Sequence, residues 1–293
     1  MIRRLVTPLL LALLPALAQA DAITVTDDLG REVRLAEPAR RIVSLAPHVT
    51  ELLYAAGAGE QVVGAVSYSD YPEAAKALPR VGGYHKVDVE AVLALRPDLV
   101  IGWGEGNRPA ERERLQALGI AVFVNDPHSL DDIAHSLQRI GRLAGTSATA
   151  DSAAAAFRAR RTALEAKHSN QPPVRVFYQV WHAPLMTVNG EHLISAVLRL
   201  CGGENVFAAL PTLTPRIGME SVLAANPQAI VASGMDAARP EWLDDWRRWG
   251  DLAAVRNGHL FHIPPDLIQR HSPRILAGAE MLCGQLEEVR KKH

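Results

Sequence analysis

Two stretches of this chain repeat each other. Glu90-Ala-Val-Leu-Ala-Leu-Arg-Pro-Asp-Leu-Val100 is echoed by Glu220-Ser-Val-Leu-Ala-Ala-Asn-Pro-Gln-Ala-Ile230. Each starts with Glu, runs through one short helix, stops it at a Pro and enters an apolar strand. A fainter echo pairs Gly59-Glu60-Gln61-Val62 with Gly203-Glu204-Asn205-Val206, and both pairs keep their order along the chain. The simplest account is two similarly built lobes, each carrying one Glu at an equivalent position. Two lobes imply a cleft, and clefts at domain interfaces are where small ligands preferentially sit.

The pattern around the echoes supports that account. A strand pair is expected over Thr24–Val33, about an Asp27-Asp28-Leu29-Gly30 turn. Short apolar runs at Arg41–Leu45, Val62–Val66, Leu99–Trp103 and Ala121–Val124 have strand length. They alternate with helical patterns from His48, over Asp88–Leu95, over Ala110–Leu118 and over Leu130–Ala144. Ala148–His168 then reads as one long helix without Gly or Pro, stopped at Pro172-Pro173. Beyond it, strands Val174–Val180, Ala229–Ser233 and Leu260–Ile263 alternate with helices over Leu193–Leu200, the echo, Trp242 and a terminal segment from about Pro273. The expected fold is α/β, with two Rossmann-like lobes of mostly parallel sheet joined by one long rigid helix. The lobes are expected at 21–146 and 172–293, with the connecting helix at 147–171. A helix of about 20 residues spans roughly 30 Å, which predicts limited hinge motion.

Met1 to Ala20 has the form of a cleavable export signal: Arg3-Arg4, an apolar run from Leu5 to Ala18, and Ala18-Gln19-Ala20 as the cleavage site. Pro8 and Pro15 interrupt the run, which is too short to span a membrane as a helix. No Cys follows it, so no lipid anchor is expected. The mature chain is expected in a bacterial periplasm. The formal charge of −1 becomes about −3 without Arg3 and Arg4, which is neither a nucleic-acid footprint nor a polybasic membrane patch. Cys201 and Cys283 are the only cysteines. In an oxidising compartment a sole pair is most simply a disulfide.

Catalytic motifs are scarce. There is no Gly-x-Ser-x-Gly elbow, no phosphate-binding loop and no dinucleotide fingerprint; Gly102-Trp-Gly-Glu-Gly106 follows a strand but lacks the fingerprint spacing. Eleven histidines are scattered, and the spacing of His259 and His262 in a strand puts their rings on opposite faces. No metal site is expected, and no cofactor. What recurs is aromatic residues just after strand ends: Tyr68 and Tyr71, Tyr84, Trp103 and Trp181. Ligands of open α/β sheets bind outside the carboxyl ends of the strands, and flat side chains there suit a large, flat, partly apolar ligand. Any one of these rings read alone is better taken as a cap on the core. The segment Asp266-Leu267-Ile268-Gln269-Arg270 follows the last strand and is either a polar wall of the cleft or a solvated loop. Glu90 and Glu220 either complement their helix dipoles, an effect worth a few tenths of a kcal/mol, or present two matched carboxylates to a two-fold partner.

Ser67-Tyr-Ser-Asp-Tyr-Pro72, Leu93-Ala-Leu-Arg-Pro-Asp-Leu-Val-Ile-Gly-Trp103, Cys201-Gly-Gly-Glu-Asn-Val-Phe207 and Ser272-Pro-Arg-Ile-Leu276 resemble the periplasmic vitamin B12 (cobalamin)-binding proteins of ABC importers. The likeness runs from about Arg41 to the terminal helix. It implies that Tyr68, Tyr84 and Trp103 line a corrinoid cleft, with Asp266 and Arg270 as its polar pair. It also implies that Glu90 and Glu220 dock on arginines of the permease dimer, and it places both cysteines at the family's disulfide. The sequence departs from the family near Thr214, where a cleft Trp is missing, and at Leu267, where a loop aromatic is. Trp181 lies near another aromatic position. Relatives with a leading segment such as Ile23–Ala39 often bind haem or ferric siderophores, and Tyr84, His85 or His48 would be the axial ligand in a haem reading. A hydrolase using Asp70 and His85 is the third hypothesis. The expected role is delivery of a corrinoid to an inner-membrane permease by a monomer, with no catalysis and with cobalamin as cargo rather than cofactor.

Overall fold

The structure, a computed structural model, describes residues 22–291 except Ser169 and Asp236. The expected export signal lies outside the described residues. Two four-stranded sheets carry the molecule, and all their strands are parallel. In space the first runs Val62–Ala65, Ile42–Ser44, Leu99–Trp103, Ala121–Asn125. The second runs Gly203–Asn205, Val174–Gln179, Ala229–Ala232, Leu260–His262. Each sheet therefore places its second strand outside its first and then adds the third and fourth on the other side, so the two lobes share one winding order.

The echo recurs in the hydrogen bonds at the amino ends of the strands. Ile42 pairs with Leu99 and Val176 with Ala229, which makes Arg41 the counterpart of Arg175. Arg41 donates from Nη2 to the Leu95 carbonyl at 2.7 Å, and Arg175 from Nη2 to that of Ala225 at 2.6 Å. The backbone N–H of Arg41 donates to Asp98, and that of Arg175 to Gln228. Both helices, Val89–Ala94 and Met219–Ala225, are followed by a left-handed residue at the matching place, Arg96 (φ 45°) and Asn226 (φ 40°). The fainter echo is out of register by one. Val62 lies opposite Ile42, but Asn205 rather than Val206 lies opposite Val176. Gly59–Gln61 is a 3₁₀ turn, whereas Gly203–Asn205 is strand.

Strand alternation divides the apolar residues among three cores. Val100, Val122 and Val124 face a core private to the first lobe, and Phe177, Ile230 and Ala232 one private to the second. The opposite faces share a single core. Leu99, Ile101 and Phe123 from one sheet belong to it with Val176, Tyr178 and Val231 from the other. The helix Ser147–His168 supplies Ala150, Ala154 and Phe157 to the same core. Its small alanines let it lie close against Leu130–Ala144, where Gly141 abuts Ala150. The Trp-rich segment is a 3₁₀ helix, Glu241–Arg248, that packs Trp246 against Phe177 with ring centroids 5.6 Å apart. Cys201 and Cys283 form a disulfide tying the Leu193–Leu200 helix end to the terminal helix Ile275–Lys291.

Candidate ligand cleft

A cavity of about 420 Å³ opens between the lobes at the carboxyl ends of both sheets. Tyr68, Tyr84, His85, Trp103 and His48 form its first-lobe wall, and Gly234, Met235, Asp266, Gln269 and Arg270 its second-lobe wall. Strand direction sets this place: Trp103 ends its own strand, and Asp266 lies just beyond Leu260–His262.

The aromatic wall is built with care for backbone position. Asn107 is buried and clamps three chain segments. It donates to the carbonyls of Leu45 (2.9 Å) and Tyr84 (2.8 Å) and accepts from the N–H of Trp103 (2.7 Å). Arg112, also buried, donates from Nη1 to the carbonyls of Trp103, Gly104 and Asn107. The glycines of Gly102–Gly106 serve close packing rather than phosphate binding, since a Cβ on Gly106 would sit 1.8 Å from the Trp103 ring. Tyr84 packs its ring 3.8 Å from that of His85 and 5.7 Å from that of Trp103. Burial pushes the Tyr84 phenol up, with the nearby Tyr68 adding to it. Tyr68 is 71% exposed and holds a φ of 65°. An exposed aromatic in the left-handed region is a costly arrangement, and such residues cluster at ligand clamps.

The polar part of the second wall is a single short helix, Pro265–Ile268, and the residues after it. Asp266, Gln269 and Arg270 share the side of this turn that faces the cavity. Leu267 and Ile268 project the other way, because a helical turn separates neighbours by about 100°. Ile268 is fully buried in the shared core and Leu267 packs against it. The expectation that the whole 266–270 run faces the ligand is therefore corrected for these two. Trp181 is not among the cavity's lining residues either. It sits in a small hairpin, Trp181–His182 against Leu185–Met186, with its indole N–H donated to the Ala183 carbonyl.

Charge bridges the two walls. Arg270 donates from Nη1 to Glu51 at 2.8 Å and to Asp70 at 2.7 Å, and its Nη2 pairs with Asp266 at 2.7 Å. Burial alone would raise the Asp70 carboxyl, but the Arg270 hydrogen bond and charge outweigh it and hold the group below the usual range. Beside this network lie three histidines, His48 of the first lobe, which is buried, with His192 and His271 of the second, which are half-buried. The His271 ring is 5.8 Å from that of His48 and 6.2 Å from that of His192. Burial lowers His48 to about 3 and His192 to about 4, and drives His271 well below 6.5. All three are neutral at neutral pH. Among the described residues one group, Glu105, Asp126 and His128, brings ligand-type atoms within 4.8 Å of each other; two of its members are exposed.

Glu90 and Glu220 are not among the residues that line this cavity. Both are exposed first-turn residues of the echo helices, and neither forms an ion pair among the described residues. Each helix runs back against its parallel strands, so both carboxylates lie toward the carboxyl edge of their sheets. Asn107, Arg112 and Glu51 are the structurally important residues that sequence reasoning missed. His48 was met there as a haem-ligand candidate, and His85 both as one and as a partner of Asp70 in the hydrolase hypothesis.

Comparison with known proteins identifies the family. The family model described as periplasmic binding protein matches residues 42–267. The chain belongs to the periplasmic binding protein family. It is 37% identical over 259 residues to a vitamin B12-binding protein of Vibrio parahaemolyticus, covering 87% of this chain and 92% of that one. It is 38% identical to one from Yersinia pestis, covering 87% and 89%. The crystal structure of the periplasmic vitamin B12-binding protein of Vibrio cholerae superposes with a TM-score of 0.80 at 36% identity, covering 87% of this chain and 99% of that chain. A periplasmic heme-binding protein from Roseiflexus shares the fold, with a TM-score of 0.76 at 24% identity over 86% of this chain and 99% of that one. The two-lobed α/β architecture is that of this family, and family membership implies a small-molecule ligand, a permease partner and a periplasmic setting.

Proposed function

We propose that the protein captures cobalamin or a related corrinoid between its lobes and delivers it to the permease of an ABC importer. The observation that carries this reading is the meeting of Tyr68, Tyr84 and Trp103 with Asp266 and Arg270 in one cavity, in a chain whose relatives are named for vitamin B12. The aromatic wall offers area for a flat macrocycle, and the polar wall offers donors and acceptors for amide side chains at its edge. No side chain need ligate the cargo's metal. Glu90 and Glu220 are the permease-docking residues in this reading, and export through a cleaved signal brings the chain to the periplasm.

Haem is the competing cargo, favoured by the presence of His48, Tyr84 and His85 at the cavity and by heme-binding neighbours in structure. Titration calorimetry of the mature protein against cyanocobalamin, with haemin in parallel, separates the two. Expected is one-to-one cyanocobalamin binding in the nanomolar to micromolar range, weakened roughly tenfold to hundredfold by Trp103→Ala, about 1.4 to 3 kcal/mol. Tight haemin binding without cobalamin heat would move the cargo to haem.

A further inference from the structure

We propose that Glu51 is a positioning residue for the cleft, a buried carboxylate of the first lobe that fixes the spacing of the two walls and the aim of Arg270. The inference deepens the function proposed above and depends on it only for the identity of the cargo. Glu51 does not line the ligand cavity. It borders a separate depression of about 580 Å³ behind Arg270, with Tyr54, Tyr71 and Arg274.

Its side chain is 2% exposed, against 43% for Asp70 and 41% for Asp266, the other carboxylates on Arg270. A buried carboxylate persists only where donors surround it. Those of Glu51 all come from the opposite lobe and from one five-residue stretch: Arg270 and Arg274 on Oε1, at 2.8 and 3.0 Å, and the Ser272 hydroxyl on Oε2. Among the described residues no hydrogen bond to this carboxylate arises within its own lobe. Glu51 is therefore satisfied at one spacing of the walls and loses every partner when they part.

The same carboxylate orders Arg270. A guanidinium with Nη1 and Nη2 already held has little rotamer freedom left when cargo arrives, which is how preorganisation raises affinity. Arg274 is fixed as well, its guanidinium 4.0 Å from the Tyr71 ring centroid. Glu51 thereby ties the Ser67–Pro72 loop, which carries Tyr68, to the start of the terminal helix.

The test uses spin labels on one exposed site of each lobe, Ala117→Cys and Arg248→Cys, in a chain whose native cysteines are both in the disulfide. Dipolar electron resonance of the cargo-free protein should give a narrow interlobe distance. Glu51→Gln should broaden it and add a longer population, and should raise the cyanocobalamin off-rate at least tenfold while the on-rate stays within threefold. Ser272→Ala, which removes one hydrogen bond and leaves the charges in place, should broaden it less. A distance distribution in Glu51→Gln that matches the parent overturns the proposal. If Glu51→Gln does not fold, an unchanged distribution in Ser272→Ala overturns it instead. Failure of the parent to bind cyanocobalamin would sink the cargo assignment and leave the distance measurement to judge Glu51.

Discussion

Arg41 closes the first echo helix on the Leu95 carbonyl, and Arg175 closes the second on that of Ala225. At the other end of the same strands the likeness stops. The first sheet ends in Trp103 beside Tyr84 and His48, and the second in a turn that offers Asp266, Gln269 and Arg270. The two lobes thus agree at the amino edge, where nothing but the fold is at stake, and differ at the carboxyl edge, where they face a common space. A two-fold frame with unlike walls suits a cargo that has an apolar face and a polar rim. Glu90 and Glu220 are the exception at the carboxyl side, alike in both lobes and turned outward, as docking on a symmetric partner would require.

That contrast can be broken experimentally, and the largest effect should come from its symmetric part. Glu90→Arg combined with Glu220→Arg should leave cobalamin affinity unchanged in calorimetry and abolish uptake in cells or vesicles; uptake at parental rates would refute docking through these residues. Next come the walls. Tyr84→Ala should weaken cobalamin roughly thirtyfold and Gln269→Ala roughly fivefold, about 2 and 1 kcal/mol respectively. Equal losses would mean that the aromatic wall does not dominate. Ile268→Ala is the control, because its side chain belongs to the core: melting should drop, with a cost of about 2 to 5 kcal/mol, while affinity of the folded fraction holds.

The mildest test is pH. His48, His192 and His271 have folded-state values far below the unfolded value near 6.5, so the unfolded chain takes up protons that the folded one refuses. Stability is full above about pH 6.5 and is lost as pH falls toward about 4 for His192 and about 3 for His48. Each contributes roughly 1 kcal/mol per pH unit within its window. The melting temperature should fall between pH 6.5 and 4.5, and His192→Asn should flatten that slope. The slope reports on the interlobe seam, since the three rings come from both sides of it.

Much of this was legible in the sequence because it was local or periodic. Short apolar runs exposed seven of the eight strands of the two sheets, missing Gly203–Asn205, and the Glu-to-Pro echo exposed the duplicated frame but not the left-handed residue before each Pro. Tyr84 and Trp103 were legible as candidates because rings recur after strand ends, and Arg270 became one through the family resemblance; all three line the cavity. Reading 266–270 as one strip failed at Ile268, since a single helical turn shows only part of itself to any surface. Trp181 was placed by proximity to its strand and is held aside by its hairpin. Asn107, Arg112 and Glu51 left no local signal. What each does is defined by partners that the fold brings close: backbone carbonyls for Asn107 and Arg112, and for Glu51 the Ser272 hydroxyl and the Arg274 guanidinium, more than 200 residues away.

The core that runs from the first sheet through the connecting helix into the second has a consequence for how such proteins can change. Leu99, Phe157 and Val231 belong to one packed unit, so neither half is a module that could be exchanged, shortened or expressed alone with its interior intact. New specificity must then be written in the loops at the strand ends, a few side chains at a time, on a body that is inherited whole.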